Sequence, residues 1–180
     1  MRNSNCDDDD DFFMRESFKT IDTDRSGLIT PHELQRALGE HGKLLFSLQT
    51  IALMVKMHSI RNQGDLDLEE YKQLSRFLHQ TQNVFAKYSS KNSQNNKLRK
   101  CDVFKALTES GFGMLDVRAV EEACKTFDPS RENVLGVDQY VALVLFLMSA
   151  KKVFNQFDVE KKDSVTLDLN QFIFASSRTR

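Results

Sequence analysis

The sequence predicts an all-α chain in which a helix–loop–helix unit recurs five times within one domain. Three observations carry this. Breakers are scarce, with seven Gly and two Pro in 180 residues, which excludes a turn-rich all-β fold. Apolar residues recur every three or four positions over long stretches. Polar, irregular stretches at 58–66, 89–98, 128–135 and 158–166 interrupt that periodicity. Together with a break at 22–27 they set a period of roughly 30–40 residues, the mark of a repeated supersecondary unit.

The first eleven residues, MRNSNCDDDDD, form an acidic N-terminal tail ahead of a helical domain spanning 12–180. The tail reads as solvated and disordered; the alternative is that its last Asp residues sit against the positive N-terminus of the helix that follows. From Phe12 the spacing is helical: Phe13, Ser17 and Ile21 lie four apart, and Phe18 fills the same apolar side. A second helix opens at Thr30-Pro31-His32-Glu33, with Thr30 as N-cap, Pro31 at the first helical position and Glu33 completing a capping box. Leu68 to Tyr88 reads as one long helix with Tyr71, Leu74, Leu78 and Phe85 on one face, and Val137 to Phe157 reads the same way.

Charge and composition exclude several classes of function. Acidic residues number 26 against 25 basic ones, a net of −1, so nothing in the charge points to a nucleic acid partner; membrane association is left open. The start of the chain has no apolar core of a signal peptide, and the longest purely apolar run, Val141 to Met148, is far too short to span a bilayer. Three cysteines (Cys6, Cys101, Cys124) are an odd count that fits a reducing compartment, so a cytoplasmic protein is expected. The four histidines have no metal-ligand spacing with the cysteines, and no nucleophile elbow or phosphate-cradling Gly loop occurs, so an enzyme is not expected.

The break at 22–33 carries the chemistry. Asp22-Thr23-Asp24-Arg25-Ser26-Gly27-Leu28-Ile29-Thr30-Pro31-His32-Glu33 matches a twelve-residue EF-hand calcium loop at each informative position. Calcium takes six to eight hard oxygens. Asp22, Asp24 and Ser26 offer side-chain oxygens, Leu28 its carbonyl, Thr30 a water-mediated contact and Glu33 both carboxylate oxygens. Gly27 allows the sharp turn around the ion, and Ile29 pins the loop to the core.

The other loops depart from this pattern. Ser59 to Glu70 keeps Gly64, Leu66 and Glu70 but has Ser59 and Arg61 where carboxylates belong. Ser89 to Asp102 is too long and carries Lys91, Lys97, Arg99 and Lys100, which repel calcium. Asp128 to Gln139 offers Asp128, Ser130 and Glu132 as a weak metal set but closes on Gln139, which cannot be bidentate. Asp158 to Leu169 is interrupted by Lys161 and Lys162 and closes on an apolar residue. Each reads as a connector between two helices.

The run from Phe18 through Asp22, Asp24, Arg25-Ser26-Gly27 and Ile29 to Glu33-Leu34-Gln35-Arg36-Ala37-Leu38 resembles the first hand of the penta-EF-hand family, that of sorcin, grancalcin, peflin and the calpain small subunit. Val84-Phe85 and Ala106 to Phe112 resemble the flanks of its third hand, and Asn170-Gln171-Phe172 stands at the family's longer fifth-loop spacing. The short form with an acidic start is similar to the protozoan granule proteins called grainins. Two departures stand out: the family's Gly/Pro-rich N-terminal extension is replaced by the acidic tail, and the third hand, usually strong, is weak here.

EF-hand loops pair through a short β-bridge near the eighth loop position. Ile29 would pair with Leu66 and Leu98 with Leu135, leaving Val165 as an unpaired edge among Val153, Phe154, Phe157, Phe172 and Phe174. The resemblance implies that this fifth hand pairs with its copy in a homodimer, the alternative being a heterodimer with a larger chain. The implied function is that of a calcium sensor or adaptor binding partner proteins through an apolar surface. The alternatives are a calcium buffer or storage protein of granules, and a calcium-independent dimeric regulatory subunit.

Overall fold

The computed structural model describes residues 4–42, 45–61, 64–89 and 97–179. Eight α-helices occur among them: α1 (Ser4–Ile21), α2 (Pro31–Gly42), α3 (Leu48–His58), α4 (Leu68–Tyr88), α5 (Lys100–Leu107), α6 (Val117–Phe127), α7 (Val137–Phe157) and α8 (Leu169–Arg178). Two short strands, β1 (Leu98–Arg99) and β2 (Val134–Leu135), also occur. The long helices α4 and α7 have the bounds that periodicity predicts, and each serves two consecutive hands. The chain divides into two compact units, Met1–Asn83 and Val84–Arg180, where the sequence reading takes 12–180 as one domain.

The first unit holds hands one and two. Their loops meet in the expected bridge: Ile29 N–H donates to the Leu66 carbonyl at 2.8 Å, and Leu66 N–H to that of Ile29 at 2.9 Å. Both side chains are buried with Phe18, Leu34, Ile51, Met54 and Leu74, so the bridge fixes the loops to the core. Ser47 caps α3 by accepting the Thr50 N–H at 3.2 Å.

The acidic run departs from the sequence reading. Helix α1 begins at Ser4, so Asp7 to Asp11 lie within it rather than ahead of it as a disordered tail; residues 1–3 of that tail lie outside the described residues. Asp11 shows one reason. Its carboxylate pairs with the buried Lys72 on α4 and, at 2.7 Å, with Arg15 one turn on. Hydrogen bonds from Lys72 and then Arg15 hold the Asp11 carboxyl down to about 2.

The second unit holds the remaining loops. Strands β1 and β2 pair antiparallel with Leu98 opposite Leu135, as the eighth-position rule predicts. Helix α7 forms the core, with Tyr140, Val141, Leu143, Val144 and Leu145 buried, a helix apolar nearly all round. After α5 the chain enters a π-helical turn, Thr108–Phe112, which Gly111 closes at φ +90°, a conformation that suits a residue without Cβ. Asp168 and Gln171 form a reciprocal capping box at the start of α8, with bonds of 2.9 and 3.0 Å. No residue of α8 is buried.

Candidate metal centre

Helices α1 and α2 deliver the two ends of the first loop. Asp22 follows the last residue of α1 and Glu33 lies in the first turn of α2. The capping box at the start of α2 forms as the sequence implies: Glu33 N–H donates to Thr30 Oγ1 at 3.3 Å, and Thr30 N–H to Glu33 Oε2 at 3.0 Å. Asp22 organises the rest. Its Oδ1 accepts the Ser26 N–H at 3.0 Å and its Oδ2 the Gly27 N–H at 2.9 Å. Arg25 and Gly27 adopt left-handed backbone conformations, φ +58° and +80°, which turn the chain about that carboxylate.

The result is a knot of oxygens. Asp22, Asp24 and Glu33 each place a carboxylate oxygen within 4.8 Å of the other two. Ser26 Oγ lies 3.0 Å from the Leu28 carbonyl, to which it donates, and 3.5 Å from Asp22 Oδ1. The carboxylates of Asp22, Asp24 and Glu33 thus meet in one loop, with the Ser26 hydroxyl bonded to the Leu28 carbonyl and the Thr30 hydroxyl to Glu33. Burial raises the Glu33 pKa, but N–H and O–H donors from Thr30 and Thr23 outweigh it and hold the carboxyl down to about 2. The Ser26 hydroxyl and N–H lower the Asp24 pKa despite the like charge of Glu33, which raises it.

The donor set fits calcium. It consists of hard oxygens alone, and it gathers carboxylates whose mutual repulsion a divalent cation relieves. Calcium, when bound, supplies that charge; the chain's own residues position the ligands. Two of the positioning residues are not ligands by loop pattern. Thr23 donates its N–H and hydroxyl to Glu33 Oε1 at 2.9 and 2.7 Å, and Arg36 donates to Thr23 Oγ1 at 3.1 Å. Nothing in the sequence distinguishes Thr23, because its loop position provides no ligand.

Among the described residues the other loops gather no comparable cluster. In the second, Glu70 accepts the N–H groups of Ile60, Arg61 and Asp67 at 2.7–3.0 Å, while Arg61 pairs with Asp67 and Glu69 with Lys72. In the third, Lys91 lies outside the described residues, Lys97 pairs with Glu132, and Arg99 pairs with Asp102. The fourth-loop residues Asp128, Ser130 and Glu132 do not assemble as a ligand set. Ser130 Oγ donates to Asp128 at 3.1 Å, but the Glu132 carboxylate is taken by Lys97 across the loop pair.

The fourth and fifth loops nevertheless keep the backbone of the first. Asp128 accepts the N–H groups of Glu132 (3.2 Å) and Asn133 (2.8 Å), and Asp158 those of Lys162 and Asp163 (both 2.9 Å), at the loop positions of Ser26 and Gly27. Arg131 and Asn133, like Lys161 and Asp163, are left-handed at φ +54° to +58°. Asn and Asp tolerate that conformation better than other residues with a Cβ.

The expected dimer residues are not alike. Val153 is buried within its own unit, so it is not available to a partner surface. Phe154, Phe157 and Val165 are half-buried, and Phe172 and Phe174 are exposed, with Phe174 edge-on to Phe157 at 6.5 Å.

This loop between two helices defines a calcium-binding EF-hand protein. A family model described as an EF-hand domain matches residues 13–42. The chain is 27% identical over 157 residues to peflin of Xenopus laevis and 22% identical over the same length to that of Homo sapiens, in each case over 87% of this chain and 54% of the relative. It therefore spans about half the length of the peflins it matches. A solved structure of a homolog of programmed cell death 6 protein from Leishmania major Friedlin is 30% identical, covers 93% of this chain and 94% of its own, and superposes with a TM-score of 0.69. The chain belongs to the penta-EF-hand family.

Proposed function

We propose that this protein is a calcium-dependent adaptor without catalytic activity, in which the first loop controls an apolar cleft of its own unit. One observation supports this above the others. A cleft of about 570 Å³ lined by Phe13, Ile21, Leu34, Leu38, Tyr71 and Leu74 lies between α1, α2 and α4. Ile21 is the residue before Asp22, and Leu34 the residue after Glu33. An ion that draws Asp22 and Glu33 together moves two cleft walls with them, changing the apolar surface offered to a partner protein. Dye fluorescence tests this. An apolar-surface dye should brighten on adding calcium to the wild type and not to Glu33→Gln; calcium binding with no change in dye signal would contradict it and favour a buffer or storage protein. The third possibility, a calcium-independent dimeric regulatory subunit, draws on the loops whose carboxylates are tied to backbone and lysines. A partner captured equally well in chelator would select it.

The homodimer belongs to the same proposal. Leu169, Phe172, Ile173 and Phe174 of α8 are 47–72% exposed, large apolar side chains left open to solvent. Pairing with a second copy would cover them, with Phe154 and Phe157 at the margin. Light scattering should give twice the chain mass of 20.7 kDa, and Phe172→Glu with Phe174→Glu should return it to one; a wild-type monomer at micromolar concentration would overturn the dimer. Cytoplasmic placement, with or without granule or membrane association, rests on the odd cysteine count and is tested by fractionation. No helix among the described residues is long and apolar enough to cross a membrane.

A further inference from the structure

The fourth loop, which lacks a metal cluster, borders a feature of opposite sign. A cleft of about 430 Å³ in the second unit, within the ~300–1,000 Å³ range of small-molecule sites, is lined by Lys100, Lys125 and Arg131. These cations come from the start of α5, the end of α6 and the loop itself. Lys125 pairs with Glu122, whereas Lys100 and Arg131 form no ion pair among the described residues. The one carboxylate in the lining, Asp128, is turned to its own loop, where it accepts the Ser130 hydroxyl and the N–H groups of Glu132 and Asn133. The neighbouring Glu132 is likewise neutralised by Lys97. Cys124 and Leu135, both buried, also line the cleft and make its floor the apolar part.

We propose that this cleft binds a small organic polyphosphate. Lys100 and Arg131, cations on separate elements without an ion pair, together with Lys125, which Glu122 shares, suit an anion with several charged groups better than a single carboxylate. Arg131 offers a planar fork to phosphate oxygens, and the two lysines act as mobile point charges. The apolar floor accommodates an uncharged part of the ligand, as a nucleotide base would provide. The site is independent of the first loop: it lies wholly in the second unit and repels the ion that the first loop attracts.

The test uses the full chain, stripped of calcium and then exchanged into buffer free of chelator and divalent ions, because a chelator is itself a polyanion. Calorimetric titrations with ATP, tripolyphosphate and inorganic phosphate are compared. One ATP or tripolyphosphate per chain is expected, with inorganic phosphate weaker by about tenfold or more. ATP tighter than tripolyphosphate assigns the floor to the base, and equal affinity assigns binding to the phosphate chain alone; both support the site. Lys100→Gln with Arg131→Gln should weaken binding by about 30-fold or more. Arg118→Gln with Lys152→Gln removes two exposed cations elsewhere in the same unit and should leave it nearly unchanged. Circular dichroism establishes that both variants fold. No saturable binding at millimolar ligand, equal losses in the two variants, or no loss in the first would each overturn the proposal.

Discussion

In the first loop Asp22 accepts the N–H groups of Ser26 and Gly27; in the fourth, Asp128 accepts those of Glu132 and Asn133 at the same two positions. Both loops turn left-handed at their fourth and sixth residues, and both carry an apolar eighth residue buried in a β-bridge. The side chains then part company. The first loop closes on Glu33 and gathers three carboxylates within 4.8 Å, whereas the fourth closes on Gln139, gives Glu132 to Lys97 and faces a cleft lined by cations. Gln139 still caps its helix as Glu33 does, accepting the Gly136 N–H at 2.6 Å. The loop backbone and the ion site are therefore separable. The first Asp with left-handed fourth and sixth residues builds the turn, and the remaining oxygens decide whether it binds calcium.

Removing the first Asp of each loop should separate these roles most strongly. Asp22→Ala loses a ligand and the acceptor for two N–H groups, so calcium affinity should fall by about 100-fold or more, together with the thermal midpoint of the ion-free protein. Asp128→Ala loses only the acceptor: its midpoint should fall by several degrees in calorimetry, with the calcium isotherm unchanged. A second test restores what the fourth loop lacks. Ser130→Asp with Gln139→Glu should add a weak calcium event, in the ~10⁻⁴–10⁻³ M range, because the backbone is already in place. A variant that gained no event would show that the nearby cations, and not the missing oxygens, keep calcium out.

Smaller effects bear on the turn alone. At Asn133, φ +58°, Val should destabilise by about 1–2 kcal/mol and Gly by little or nothing, read from denaturant midpoints. The smallest effect concerns acid. Burial raises the Asp128 pKa, but N–H groups of Asn133 and Glu132 outweigh it, so the folded carboxyl titrates below its ordinary 3.8. A lowered folded pKa contributes stability that is full above the unfolded value and is lost as pH falls through the folded one. The wild type should lose this contribution below about pH 4, and Asp128→Ala should show a shallower decline there.

Much of this molecule was legible in the sequence. Periodicity and scarce breakers outlined α4 and α7, and the eighth-position residues named both bridge pairs, because each signal is local and repeated. The clustering of Asp22, Asp24 and Glu33 was legible because a calcium loop demands carboxylates at set spacings. Other features depend on distant partners. The helical start at Ser4 includes a side chain held by Lys72, some 60 residues on, and Glu132 is diverted by Lys97 from another loop. The turn geometry of loops four and five was hidden by reading the sixth position as Gly, where Asn133 and Asp163 adopt the same conformation. Burial of Val153 follows from how α7 packs, which an apolar residue near a loop does not reveal.

Calorimetric calcium titration of the stripped wild type beside Glu33→Gln decides whether the first loop alone holds the ion. One ion per chain in the wild type and none in the variant is the predicted result, since Glu33 supplies the closing carboxylate of the cluster. Two or more ions per chain, or tight binding that survives the substitution, would place calcium in a loop whose oxygens are committed elsewhere and contradict the account.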